Sequence, residues 1–393
     1  MLVTLRRTAL LRALAPVVLL AACTQPPLAS GPASQPSATA APQPTAAPTA
    51  QHDRLGRNGA TAWLITPQGL SLSTDSGRTF AAVPLPPRVA PAAIVAVHAD
   101  AGTTWLASRG PGRSVSVYAR NTGSGAWSAG AQLTPAWPAD LGGAETQSPS
   151  SVWITADSTS QVLVMTQLVL SHSVSIPRIF ISGDGGVTFA QRVLPTPSDL
   201  NSPWDAIAVS DGNAVGVIGE RANQVVHSGD RGATWAASAV HGVAPGSDFV
   251  VGTPVFVGSM VYLPVTESRS DGQGAFVLMR STDGGAVFDP LDAQTLNMGT
   301  LADGGAPPVA SASGAWWLVS PMTGSVYRST DNGLTWSKTA MALPPGVVDV
   351  AATDGQNATV TVVNNACATG KTDCSSEQYS EATSDGGLTW IRL

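Results

Sequence analysis

The chain has 393 residues, a formal net charge of −6, only 12% charged residues, 40 glycines and 30 prolines. So little charge beside so many turn-formers suits an all-β protein of short strands, and the acidic balance excludes a nucleic-acid binder, which needs a basic footprint. The length admits two average domains or one large repeat domain.

Residues 1–22 combine Arg6, Arg7 and Arg12 with an apolar run ending in Val17-Val18-Leu19-Leu20. This is the pattern of a signal peptide, too short for an ordinary spanning helix. Without those arginines, 17 basic residues face 26 acidic ones, so the mature chain carries −9. The segment ends in Leu20-Ala21-Ala22-Cys23, which resembles the bacterial lipobox. The resemblance implies that Cys23 is lipidated, becomes the mature N-terminus and anchors a lipoprotein to the bacterial cell membrane, facing outside the cytoplasm.

The lipidated cysteine opens residues 23–53, which after it hold little but Pro, Ala, Thr, Ser and Gln. Such a segment cannot bury enough apolar surface to offset its ordering entropy. It reads as a disordered tether, reaching about 30 Å as a coil and about 90 Å if extended like polyproline. The remaining domain spans residues 54–393.

Within it one pattern recurs, Ser/Thr-x-Asp-x-Gly-x-Thr-Trp/Phe, beginning at Ser73, Ser182, Ser228, Ser281, Ser329 and Thr383. Val287 is the one departure at the Thr position. The aspartates are Asp75, Asp184, Asp230, Asp283, Asp331 and Asp385. Aspartate accepts hydrogen bonds from its own turn's N–H groups, and glycine two residues later supplies a backbone angle that side chains obstruct. Asp-Gly or Asn-Gly between extended runs is a hairpin signal, and the aromatic opens the return strand. The pattern resembles the Asp-box, or bacterial neuraminidase repeat (BNR). That resemblance implies a β-propeller of the sialidase-like superfamily, with each box at the turn between the third and fourth strands of a blade.

Four of the five gaps between these aspartates run 46 to 54 residues, and the gap from Asp75 to Asp184 is 109. A degenerate copy fills the long gap, with a turn at Asn121–Gly125 and Thr122 in the aspartate position. Seven units about 50 residues apart predict seven four-stranded antiparallel blades, with six as the alternative. In chain order, blade one has strands at Ala60–Thr66 and Leu70–Thr74, but Gln51–Arg57 is poor material for its inner strand. Blade two reads as Ile94–His98, Thr104–Ser108, Val115–Arg120 and Trp127 onward. The last blade reads as Val347–Ala352, Ala358–Val363, Tyr379–Thr383 and Thr389–Leu393. All are period-two runs bounded by turn residues.

If Cys23 takes lipid, Cys367 and Cys374 remain as a pair in a polar loop. A disulfide there would contribute roughly 2–3 kcal/mol. No His lies nearby, so zinc is a poor reading, and no metal or cofactor is expected.

In propellers resembling this one, the face opposite the boxes holds the site. Its charged and aromatic candidates are Arg109, Arg113, Trp137, His172, Trp204, Asp205, Glu220, Arg221, Glu267 and Arg269, with Tyr262 leading into that face. Two functions compete. One is a non-catalytic binding or scaffold module for a glycan, peptide or envelope protein. The other is an exo-sialidase or another glycoside hydrolase, for which a tyrosine nucleophile, an assisting glutamate and three arginines are required. Tyr262 with Glu267 and Arg269 comes nearest to that set, but the early Arg-Ile-Pro signature is missing, so catalytic residues are not assigned.

Overall fold

The computed structural model describes residues 54–58, 60–75, 77–137, 147–157, 160–170, 175–192, 204–218, 223–243, 249–268, 273–292, 295–300, 306–312, 314–367 and 374–393. Among these the chain is an all-β propeller. Each sheet forms from consecutive strands, because short period-two runs separated by tight turns pair with their immediate neighbours. Sheet one comprises Arg54–Asn58, Thr61–Thr66, Gly69–Ser73 and Ala81–Val83. Sheet two comprises Ile94–Ala99, Thr103–Arg109, Val115–Asn121 and Ala131–Leu133. Sheet three runs through Ser151–Ala156, Val162–Val169, Ser175–Ser182 and Ala190–Arg192. Sheet four holds Trp204–Ser210, Asn213–Ile218, Gln224–Ser228 and Ala236–Ala237. Sheet six holds Val309–Ala312, Ala315–Val319, Val326–Ser329 and Ser337–Lys338. Sheet seven holds Val347–Ala352, Ala358–Cys367, Cys374–Thr383 and Ile391–Arg392.

Sheet five departs from this plan. It has seven strands, built on the hairpin Met260–Ser268 and Gln273–Ser281. Its first strand is split into Phe249–Val251 and Val255–Val257, both antiparallel to Met260–Ser268. Its outer edge is shared by Val287–Pro290 and Leu296–Thr300. Ala239–Val240, on the way in from sheet four, adds itself parallel to Val287–Phe288. The regular four-stranded antiparallel blades therefore number six among the described residues, the alternative count, and the expectation of seven uniform blades is corrected. The reason is local: 239–300 recruits its flanking connections as extra edge strands.

The first strands of successive sheets lie against one another and form the hub. The apolar core is divided into layers between sheets. Trp105, Val117 and Phe180 pack between sheets two and three, and Leu163, Trp204 and Trp235 between three and four. Trp317, Val326 and Val350 fill the layer between six and seven. Between the last sheet and the first, Arg78 Nη2 donates to Asn357 Oδ1 at 2.6 Å.

The boxes explain how the layers are held. In each, the first residue's hydroxyl is buried, accepts the glycine N–H at 2.7–2.9 Å and donates to the aspartate Oδ1 at 2.6–2.8 Å. The same carboxylate accepts the N–H and hydroxyl of the following Thr in the boxes of Asp75, Asp184, Asp230, Asp331 and Asp385. In sheet five Val287 has no hydroxyl to give, so Asp283 holds the N–H groups of Ala286 and Val287 instead.

Five of the box glycines lean on the preceding sheet. A Cβ at Gly186 would meet Trp105, at Gly232 Ile181, at Gly285 Val215, at Gly333 Leu278 and at Gly387 Thr339 and Trp317. All five have positive φ, so glycine is required both by the turn and by the close approach.

His98 joins sheets one and two. Its ring lies 6.1 Å from Trp63 and 5.9 Å from Trp105, and Nε2 meets Asn58 Nδ2 at 3.3 Å. Burial pushes its pKa down to about 4, against a smaller opposing pull from Asp100. Between the ordinary value of 6.5 and about 4 the unfolded chain binds a proton that the folded chain refuses. Stability is thus lost as pH falls through that window, by up to about 3 kcal/mol. His98→Gln is expected to flatten the dependence of the urea midpoint on pH between 7 and 4. A wild-type midpoint unchanged over that range would contradict the account.

Candidate functional site

The second-to-third strand turns and the first-strand entries gather opposite the boxes, and the described candidates fall into two groups there. In sheet two, Arg109 ends the second strand and is exposed, while Arg113 sits half-buried in the turn to the third. That turn is closed by Gly110 N–H to Ser114 O and is tied to the next connection by Ser148 Oγ donating to Gly112 O at 2.7 Å. The same connection carries Trp137. Its indole N–H donates to Gln147 O at 3.0 Å, its ring packs on Leu168 and Ile176, and the Arg178 guanidinium stands 5.8 Å above it. Arg178 Nε donates to Ala136 O at 2.7 Å, and burial pushes its pKa down. Trp137 is therefore 6% exposed and acts as a wedge under the loop face.

The second group is at the entry of sheet four. Trp204 is 1% exposed and packs edge-on to Trp235 at 5.5 Å, and its backbone N–H donates to Gln167 Oε1 at 3.2 Å. The neighbouring Asp205 is exposed at a bulge between Trp204 and Ala206, and partial burial raises its pKa. Bulges re-aim side chains, and equivalent irregularities occur at the entries of sheets two and seven, between Ile94 and Ala96 and between Val347 and Asp349. These three bulges were not visible to sequence reasoning, because period-two runs do not announce an extra residue.

The Tyr262 candidate is corrected. It is 3% exposed, packs on Trp316 at 4.7 Å and turns its hydroxyl toward Met260 Sδ at 3.7 Å. Glu267 lies on the same strand five residues further along, partly exposed. An odd separation on a strand places two residues on opposite faces, and five residues span roughly 16 Å. The structure does not bring the tyrosine and glutamate together. Trp137 and Trp204 are likewise corrected from ligand-facing aromatics to core anchors, because each finds a hydrophobic layer directly beneath its loop.

Cys23, His172, Glu220, Arg221 and Arg269 lie outside the described residues. Cys367 and Cys374 are register partners at the end of the sheet-seven hairpin. The box aspartates sit on turns of the opposite rim. Hydrogen bonds, first from the Thr hydroxyl, hold Asp184, Asp230, Asp331 and Asp385 down to about 2. Asp75 and Asp283 are also held low, first by Ser73 and Ser281 respectively. Carboxylates already saturated by their own turn are poorly placed to take a proton or a ligand. Among the described residues no group of three or more His, Cys, Asp or Glu could hold a metal ion, and no helix is long and apolar enough to cross a membrane.

Residues 327–338 match the family model described as the BNR/Asp-box repeat. The chain carries Asp-box repeats on a β-propeller. No curated protein matches it in sequence. Among solved structures it is similar to "YCF48 bound to D1 peptide", at 15% identity over 80% of this chain and 89% of that one, with a TM-score of 0.46. It is similar to YCF48 from Cyanidioschyzon merolae at 17% identity, over 77% and 88%, with a TM-score of 0.46. A Trypanosoma rangeli sialidase mutant displaying trans-sialidase activity matches at 13%, over 60% and 46%, with a TM-score of 0.39.

Proposed function

We propose that this Asp-box protein is a non-catalytic binding or scaffold module, held outside the cytoplasm by lipid on Cys23 and the 24–53 tether. Its loop face takes a glycan, peptide or envelope protein. The observation that carries the binding reading is Tyr262. It lies in the core, with its hydroxyl turned to a methionine sulfur and the nearest candidate glutamate on the opposite sheet face. A sialidase nucleophile must reach an anomeric carbon from a solvent-open mouth. The exposed Arg109, with the half-buried Arg113 beside it, suits an anionic or polar ligand.

The register supports a disulfide between Cys367 and Cys374. Leu393 N–H bonds to Ser380 O, so even-numbered residues of that strand turn their backbone groups outward. Cys367 and Cys374 then form a non-hydrogen-bonded pair, with Cα atoms about 4.5 Å apart, within the range a disulfide spans.

The purified domain is expected to show no turnover of a fluorogenic sialoside and to be retained on cell-wall or glycan resin. Turnover abolished by Tyr262→Phe would overturn the binding reading. Cys23→Ser is expected to shift the protein from the membrane to the soluble fraction; unchanged membrane association would remove the lipid anchor from the proposal.

A further inference from the structure

Two hairpins are longer than the rest. Sheet five has arms Met260–Ser268 and Gln273–Ser281, and sheet seven has arms Ala358–Cys367 and Cys374–Thr383. In both, the half nearest the loop face runs beyond the ordinary blade. In sheet five that half is flanked on each side. Phe249–Val251 pairs with Val265–Glu267 on the inner edge, and Leu296–Thr300 pairs antiparallel with Gln273–Phe276 on the outer edge. Sheet seven has the same hairpin without the outer flank. Its outer strand, Ile391–Arg392, pairs only with Glu381 and Ala382, and Leu393 N–H adds one bond to Ser380 O at 2.9 Å. Among the described residues, no strand pairs with Cys374–Gln378 on that side.

The direction of the backbone follows from the same bond. Ser380 turns its carbonyl outward, so Gln378 and Ser376 do too, at period two, and their N–H groups follow. An edge of regularly spaced donors and acceptors is a template for another extended chain. Sheet five shows the occupant such an edge accepts: a single strand of about five residues, antiparallel, bonded through its main chain.

We propose that Cys374–Gln378 is a docking edge for an extended peptide segment of a partner protein, which adds as an antiparallel strand through the backbone groups of Ser376 and Gln378. This deepens the binding reading above and rests on it. Affinity comes from main-chain bonds, so the partner segment is defined by extended conformation and by the absence of proline at ladder-facing positions.

The test is a display library of random seven-residue peptides panned on the whole protein, compared with its Gln378→Pro variant. The Gln378 N–H points away from Ala358–Cys367, so proline there removes an edge donor and leaves the hairpin ladder intact. Recovered peptides are expected to bind the variant at least ten-fold more weakly at an unchanged melting temperature. Should the variant unfold, the same peptides with backbone N-methyl groups at alternate positions decide: methylation at one parity must abolish binding and at the other must be tolerated. Peptides that bind wild type and variant equally, or tolerate methylation at both parities, overturn the proposal. So does failure to recover any peptide, or a wild-type dimer that Gln378→Pro dissolves, since the occupant would then be a second copy. Peptide retained equally by the variant, beside a glycan retained by both proteins, would sink the edge while leaving the loop-face reading standing.

Discussion

Trp317→Ala is expected to destabilise the propeller by about 3–5 kcal/mol, a large share of the whole stability of an ordinary domain. The indole is fully buried between sheets six and seven and meets a different partner on each side. Its N–H donates to Asp354 O at 3.0 Å, across to the first turn of sheet seven. Trp390 stands edge-on at 6.2 Å, and the Arg328 guanidinium lies 5.1 Å from its centroid while donating to Gly386 O. Truncation empties this space and strips the arginine of its platform. Trp317→Phe keeps most of the packing and loses the indole bond, so its cost should be nearer 1–2 kcal/mol. Urea titrations followed by tryptophan emission and far-ultraviolet circular dichroism measure both. Equal midpoints for the two variants would mean that the layer is held by the single hydrogen bond and not by volume.

The second large effect is expected at Gly324, in the turn between the second and third strands of sheet six. Its φ is 65° and its ideal Cβ would lie 1.7 Å from the Leu343 carbonyl oxygen. That oxygen cannot move away cheaply. Leu343 N–H is bonded to Gly324 O, and Gly346 N–H, three residues later, is bonded to Pro321 O. Gly324→Ala therefore combines left-handed strain with a main-chain collision and should cost about 3–4 kcal/mol. Gly258→Ala is the internal control. Its φ is 59°, yet nothing lies within 4 Å of its Cβ, so it isolates the strain, about 1–2 kcal/mol. If the two variants melted together, the collision would be relieved by a small loop shift.

The boxes were legible because their chemistry is local: a hydroxyl, a carboxylate, a glycine and a threonine bond within five residues of one another. The buried role of Ser329 and its equivalents was less visible, since serine in a turn reads as solvated. Sheet five was not legible. Leu296–Thr300 becomes a strand only by pairing with Gln273–Phe276, and Arg54–Asn58 only by pairing with Thr61–Ile65. Neither has a pattern of its own. The stretch toward Cys367 read as a loop because it is polar, whereas its ladder continues to Cys374 on register alone. The candidate site was misread at Tyr262 for a reason the sequence contains. Counting five places along a strand separates it from Glu267, and adjacency in the text concealed that. Trp137 and Trp204 misled because aromatic residues near loops serve as floors as readily as they serve as ligand platforms.

The lean of five box glycines, from Gly186 to Gly387, on the sheet before them gives the ring a direction. A newly made sheet meets a finished surface from its predecessor, so the order of synthesis and the order of docking coincide. The joint of Arg78 with Asn357 reverses this, because its two halves are made first and last. Until that contact forms, the first sheet has one neighbour, and the unfinished wheel is an open spiral whose leading rim waits for the tail of the chain.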